Sequence, residues 1–158
     1  MEDEISPKDM YTKLQKQYKL PPFPAMNKEF ELSTIEAEEA FFLRHVAKKM
    51  EERLNFFQSI FGDVLNPDLN SAAVMQESQF FDDAQKESLF VTFQKLMRDH
   101  RLLLLAEAAN DDTQYVEVIN VVWKNYDFFK NEAQVLLKKL KETWEVLSDP
   151  KEELNYLG

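Results

Sequence analysis

Two glycines in 158 residues, Gly62 and Gly158, set the first limit on this chain. Glycine takes positive φ without a steric cost and lets a ligand approach bare backbone. A chain this poor in it has no glycine-rich phosphate cradle, no dinucleotide fingerprint and no nucleophile elbow. Long amphipathic stretches separated by a few proline and Asx breaks remain. The fold class they predict is all-α: an antiparallel bundle of three long helices plus a short N-terminal helical arm on a proline-rich strut.

Ser6-Pro7-Lys8-Asp9 has a capping Ser, a Pro at the first helical position and an acid three residues after the cap, which predicts a helix to about Tyr18. Leu20-Pro21-Pro22-Phe23-Pro24 reads as the extended strut. Ser33-Thr34-Ile35-Glu36 reads as a capping box opening a long helix that Gly62 stops after Phe61. Its apolar face carries Ile35, Phe42, Leu43, Val46, Met50, Leu54, Phe57, Ile60 and Phe61. Asn66-Pro67-Asp68 marks a turn, with a short helix from Ala72 to Met75. Asp82 and Gln85 cap a helix to Ala109 with Leu89, Phe90, Phe93, Leu96, Met97, Leu103 and Leu104 on its face. The last helix is predicted from Thr113 to Leu147, stopped by Ser148-Asp149-Pro150, with Tyr115, Val118, Ile119, Val122, Tyr126, Phe129, Ala133, Leu136, Leu137, Leu140 and Trp144 on its main stripe. A single domain over 1–158 is expected, divided into arm and strut (1–32), bundle (33–148) and tail (149–158).

Cysteine is absent, which removes disulfides, thiolate nucleophiles and Cys-type zinc sites. The acidic start Met1-Glu2-Asp3-Glu4 is unlike a signal or transit peptide, and no apolar run reaches membrane-span length. Cytoplasmic location and no membrane association are therefore expected. A formal charge of -10 opposes direct nucleic-acid binding, which needs a basic stripe to displace counterions. The same charge leaves mimicry of nucleic acid as an alternative.

The metal and catalytic patterns fail in turn. A ferritin-like site needs Glu-x-x-His, but Phe42 precedes His45 by three and Met97 precedes His100 by three. Glu36-x-x-Glu39 supplies half of the acidic pairs of a helical pyrophosphohydrolase, and the second half is missing. No metal, no cofactor and no catalytic residue is expected. Leu43-Arg44-His45-Val46-Ala47-Lys48-Lys49 resembles the core of histidine phosphotransfer domains, with Lys49 where that family carries Gly. The resemblance implies His45 as phosphoryl carrier and Lys48 as its partner, the alternative function. Trp144-Glu145-Val146-Leu147-Ser148-Asp149-Pro150 resembles the end of a J-domain, whose His-Pro-Asp motif is nowhere in the chain.

Four polar residues intrude on apolar faces: Glu39 and Arg53 on the first long helix, His100 and Glu107 on the second. Buried polar groups need partners, so the four can form one interior network between helices; the alternative is that they fix helix register or simply reach solvent at the stripe's edge. His100 in particular is expected to be buried and paired.

Thirteen phenylalanines include the doublets Phe41-Phe42, Phe56-Phe57, Phe80-Phe81 and Phe128-Phe129. Neighbours on a helix point about 100° apart, so one face cannot bury both members. Phe41 and Phe128 are the members expected outside. On the last helix Val121, Phe128 and Val135 recur every seven residues opposite the main stripe, a second apolar line that either the arm or another chain must cover. These features point to a non-enzymatic interaction or scaffold protein, with a protein partner or a second copy of itself on Val121, Phe128, Val135 and Phe41.

Overall fold

The computed structural model describes residues 4–145. Those residues form six α-helices and two single-turn 3₁₀ helices, with no strand among them. The expected Ser148-Asp149-Pro150 stop and the tail fall outside the described residues.

Helix α1, Pro7–Gln17, starts as its sequence dictates: Ser6 Oγ accepts from the Asp9 N–H at 3.2 Å, and Pro7 fills a position whose N–H would have no helical partner. The strut is shorter than expected. Pro22 precedes α2, Phe23–Phe30, in which Pro24 sits in the first turn, where proline favours a helix rather than forbidding it. Glu31 closes α2 in the left-handed conformation at φ 53°, its N–H donating to Asn27 O at 2.8 Å.

The Ser33 capping box does not form. Thr34 Oγ1 turns back to donate to Glu31 O at 2.7 Å, and the Ser33 N–H is taken by Asn27 Oδ1 at 2.8 Å. Two 3₁₀ turns, Leu32–Thr34 and Glu39–Phe41, follow instead, and α3 runs from Phe42 to Leu65. Gly62 does not stop it. The helix passes through that glycine without positive φ and ends before Asn66-Pro67, where proline makes continuation costly.

Ser71 Oγ caps α4, Ala72–Gln79, at 3.3 Å from the Val74 N–H. A reciprocal capping box opens α5, Asp83–Ala109: Gln85 N–H donates to Asp82 Oδ1 at 2.8 Å, and Asp82 N–H donates to Gln85 Oε1 at 2.9 Å. Asn110, left-handed at φ 51°, ends α5, and α6 runs from Asp112 to Glu145. No helix among the described residues is long and apolar enough to cross a membrane.

The described residues group into two compact units, 4–56 with 96–127 and 57–95 with 128–145. In the first, α1 and α2 are part of the core. Tyr11 is fully buried, donates its hydroxyl to Pro21 O at 2.6 Å and packs 5.4 Å from the Phe23 ring. Phe30 meets Tyr126 edge-on at 4.7 Å, and Asn120 Nδ2 on α6 donates to Lys19 O at 2.7 Å. Met26, Leu32, Phe42, Met50, Leu54, Leu96 and Ile119 complete this core.

The second unit buries Phe57, Phe61, Val64, Phe81, Phe129, Ala133 and Leu136, whereas Leu137 and Trp144, expected on the main stripe of α6, are exposed because they lie at its edge. Polar ties cross it. Ser78 Oγ donates to Val64 O at 2.9 Å, and Trp144 Nε1 donates to Glu77 Oε2 at 3.2 Å.

The buried side of α5 departs from the expected face. Phe90 is exposed, Leu89, Phe93, Met97 and Leu104 are only half-buried, and Thr92, Leu96, Asp99, His100, Leu103 and Ala106 point inward. Apolar residues surround much of this helix, so hydropathy alone does not set its phase.

Candidate interaction surface

Each polar residue expected in the interior network has its own partner, and the four do not join. Glu39 lies in the 3₁₀ turn, exposed, and pairs with Lys13 at 2.8 Å. Arg53 Nε reaches Tyr126 Oη at 3.3 Å, and its guanidinium carbon lies 5.5 Å from the centre of the Phe56 ring. Burial raises the Tyr126 hydroxyl above the ordinary tyrosine range while Arg53 acts against it. Glu107 pairs with Arg44 at 3.6 Å. His100 is buried; Arg101 Nη1 lies 2.8 Å from its Nδ1, and its Nε2 stands 3.5 Å from Glu51 Oε1 without hydrogen-bond geometry. The single interior network does not form, and exposed Glu39 matches the alternative of a polar residue reaching solvent. Glu39 precedes α3 altogether, Arg53 and Glu107 each reach a partner on a facing helix, and His100 contacts Arg101 beside it on α5.

Sequence reasoning missed Asp99, which is 0% exposed. Its Oδ2 accepts from Asn125 Nδ2 at 2.9 Å, and its Oδ1 lies 3.4 Å from Arg98 Nε. The signal was present: Asp99 stands three residues after Leu96 and four before Leu103, in line with both buried leucines. The Asn125 amide that donates to this wholly buried carboxylate is a structural tie between α5 and α6.

A cleft of about 10 Å³ is lined by Arg44, Ala47, Lys48, Glu51, Leu103, Glu107 and Tyr115. That volume accommodates one water at most, far below the size of a substrate site. Burial raises the Tyr115 hydroxyl above its ordinary range. Among the described residues no group of three or more His, Asp or Glu is placed to hold a metal ion. His45 on α3 is half-buried and Lys48, one turn later, is exposed.

The phenylalanine doublets divide cleanly. Phe42, Phe57, Phe81 and Phe129 are buried, whereas Phe41, Phe56, Phe80 and Phe128 are all exposed. Phe41 belongs to the 3₁₀ turn before α3, so it is not the outer member of a helical pair and does not extend the line on α6. On α6, Val121 is half-buried, Phe128 is 42% exposed and Val135 is 54% exposed. In the first unit, Phe30 of α2 meets Trp123 and Tyr126 of α6, and Lys19, between α1 and α2, meets Asn120. Lys95 Nζ stands 5.2 Å from the centre of the Phe128 ring, a cation–π contact that leaves much of the ring open.

Exposed large apolar side chains are concentrated in the second unit: Leu69, Phe80, Phe90, Val91, Phe128, Val135, Leu137 and Trp144, against Ile5, Phe41, Phe56 and Leu105 in the first. Scattered exposed apolar residues are ordinary on a soluble protein, but clusters of aromatic ones mark contact surfaces. Compared with protein-family models, with curated proteins and with solved structures, the chain finds no match.

Proposed function

We propose that this chain is a non-enzymatic interaction or scaffold protein, a subunit or adaptor whose partner is another protein chain. The observation that carries the reading is the number of exposed aromatic and aliphatic side chains in residues 57–95 and 128–145, Phe90 and Phe128 among them. Fully burying such side chains is worth about 25 cal/mol per Å² of apolar area, a gain that a partner supplies. The net charge of -10 favours a protein over nucleic acid as that partner. The cytoplasm is the compartment this reading assigns.

The architecture that suits such a role is an antiparallel arrangement of α3, α5 and α6. Two pairs support it in the first unit, since Arg44 meets Glu107 and, seven residues on, Glu51 meets His100, seven residues back. Asp99 with Asn125 ties α5 to α6 in the same unit.

Affinity purification tests the function. The tagged chain should recover a stoichiometric protein partner, a co-expressed untagged copy included, and a folded Phe90→Lys/Phe128→Lys variant should lose it. Equal recovery by both proteins, or no partner with either, would remove the basis for the reading.

A further inference from the structure

The outer face of α6 reads the same in both directions about Phe128, except that its charges change sign. Val121 and Val135 stand seven residues either side of Phe128; Lys124 and Glu132 stand four either side; Glu117 and Lys139 stand eleven either side. At 100° per residue all seven lie within about 40° of the Phe128 direction, so they form one line on the helix. Lys124, Glu117 and Lys139 are exposed and Glu132 is half-buried. None of these four charges has an ion pair within the chain among the described residues.

We propose that this face is the contact between two copies of the chain, with α6 packed antiparallel on α6 across a twofold axis beside Phe128. The proposal rests on the interaction reading above and names the partner. A twofold contact must be self-complementary, because each residue at one level meets the residue at the mirrored level of the other copy. Here that operation sets Phe128 against Phe128, Val121 against Val135, Lys124 level with Glu132, and Glu117 level with Lys139. A parallel pairing would put each charge beside its own kind, which repels. The line from Glu117 to Lys139 is about 33 Å long at 1.5 Å per residue, enough for a helix–helix seam of some six turns.

A charge swap tests the geometry. Sedimentation equilibrium on the full chain should show a concentration-dependent dimer. Lys124→Glu alone sets Glu against Glu twice across the twofold axis and should raise the dimer Kd about tenfold or more; Glu132→Lys alone should do the same. Combining both substitutions restores opposite charges and should recover most of the wild-type affinity, a rescue that no loss of folding could produce. Circular dichroism should show the wild-type helix content in all three. A wild-type chain that stays monomeric up to about 0.5 mM, where even weak dimers form, would overturn the dimer, as would a dimer indifferent to all three variants. In either case recovery of a different protein partner, lost in Phe90→Lys/Phe128→Lys, would leave the broader interaction reading standing, whereas failure of both experiments removes both.

Discussion

The two units contain the same kinds of residue and use them differently. In residues 4–56 and 96–127, Phe41 and Phe56 are exposed, but the large rings Tyr11, Phe30, Phe42, Tyr115 and Tyr126 are buried, with Tyr11 bonded to Pro21, Tyr126 to Arg53 and Phe30 wedged against Tyr126. In residues 57–95 and 128–145, each aromatic doublet has one ring buried and the other turned out, and Phe90 and Trp144 are also exposed. The difference teaches where stability and function lie. A ring that fills a core is held by its shape, whereas a ring kept in water at Phe128 or Phe90 contributes little to the fold and is available to another surface.

The largest expected break in this comparison comes from the first core. Phe30→Ala should cost about 3–5 kcal/mol in urea or thermal unfolding, because the site is closed on all sides. Phe90→Ala in the other unit should cost less than about 1 kcal/mol. Equal losses would dissolve the contrast between the units.

Next in size is the buried carboxylate. Asn125→Leu removes the donor to Asp99 and should destabilise the protein by about 2–3 kcal/mol, while Asp99→Asn, which keeps a polar partner for Asn125, should cost less.

Tyr11→Phe should cost about 1 kcal/mol through the lost bond to Pro21. Burial raises the folded-state pKa of this hydroxyl above its unfolded value near 10. Its contribution is therefore complete below pH 10 and lost as pH rises beyond it. Alkaline titration of stability should accordingly show a steeper fall for the wild type than for Tyr11→Phe.

Glu31→Gly should raise stability by about 1 kcal/mol, since only glycine takes φ 53° freely. The smallest effect belongs to Phe128→Lys, with unfolding free energy changed by under about 0.5 kcal/mol and partner binding lost. Unchanged stability together with unchanged association would leave the outer line of α6 without a role.

The helical class, the start of α1, the capping box of α5 and the exposed Phe128 could be read from local chemistry, because each depends on neighbours within a few residues. What could not be read depended on tertiary competition. Pro24 is compatible with both a strut and a helix start, and the packing of Phe23 and Met26 decides for the helix. Ser33 and Glu36 match a capping box, yet burial of Leu32 and Ile35 draws the chain into 3₁₀ turns. The spacing of Asp99 from Leu96 and Leu103 places it on the buried side, but its partner Asn125 comes from another helix, which no local pattern shows.

Gly62 lies inside α3, and a β-carbon there would meet nothing within 4 Å. In a chain with no native cysteine, that open position accepts a single Gly62→Cys thiol as the sole attachment point for a spin label or fluorophore. Labelled this way, the protein can report the separation between two copies in solution directly, and alanine at the same place should strengthen the helix by about 0.5–1 kcal/mol.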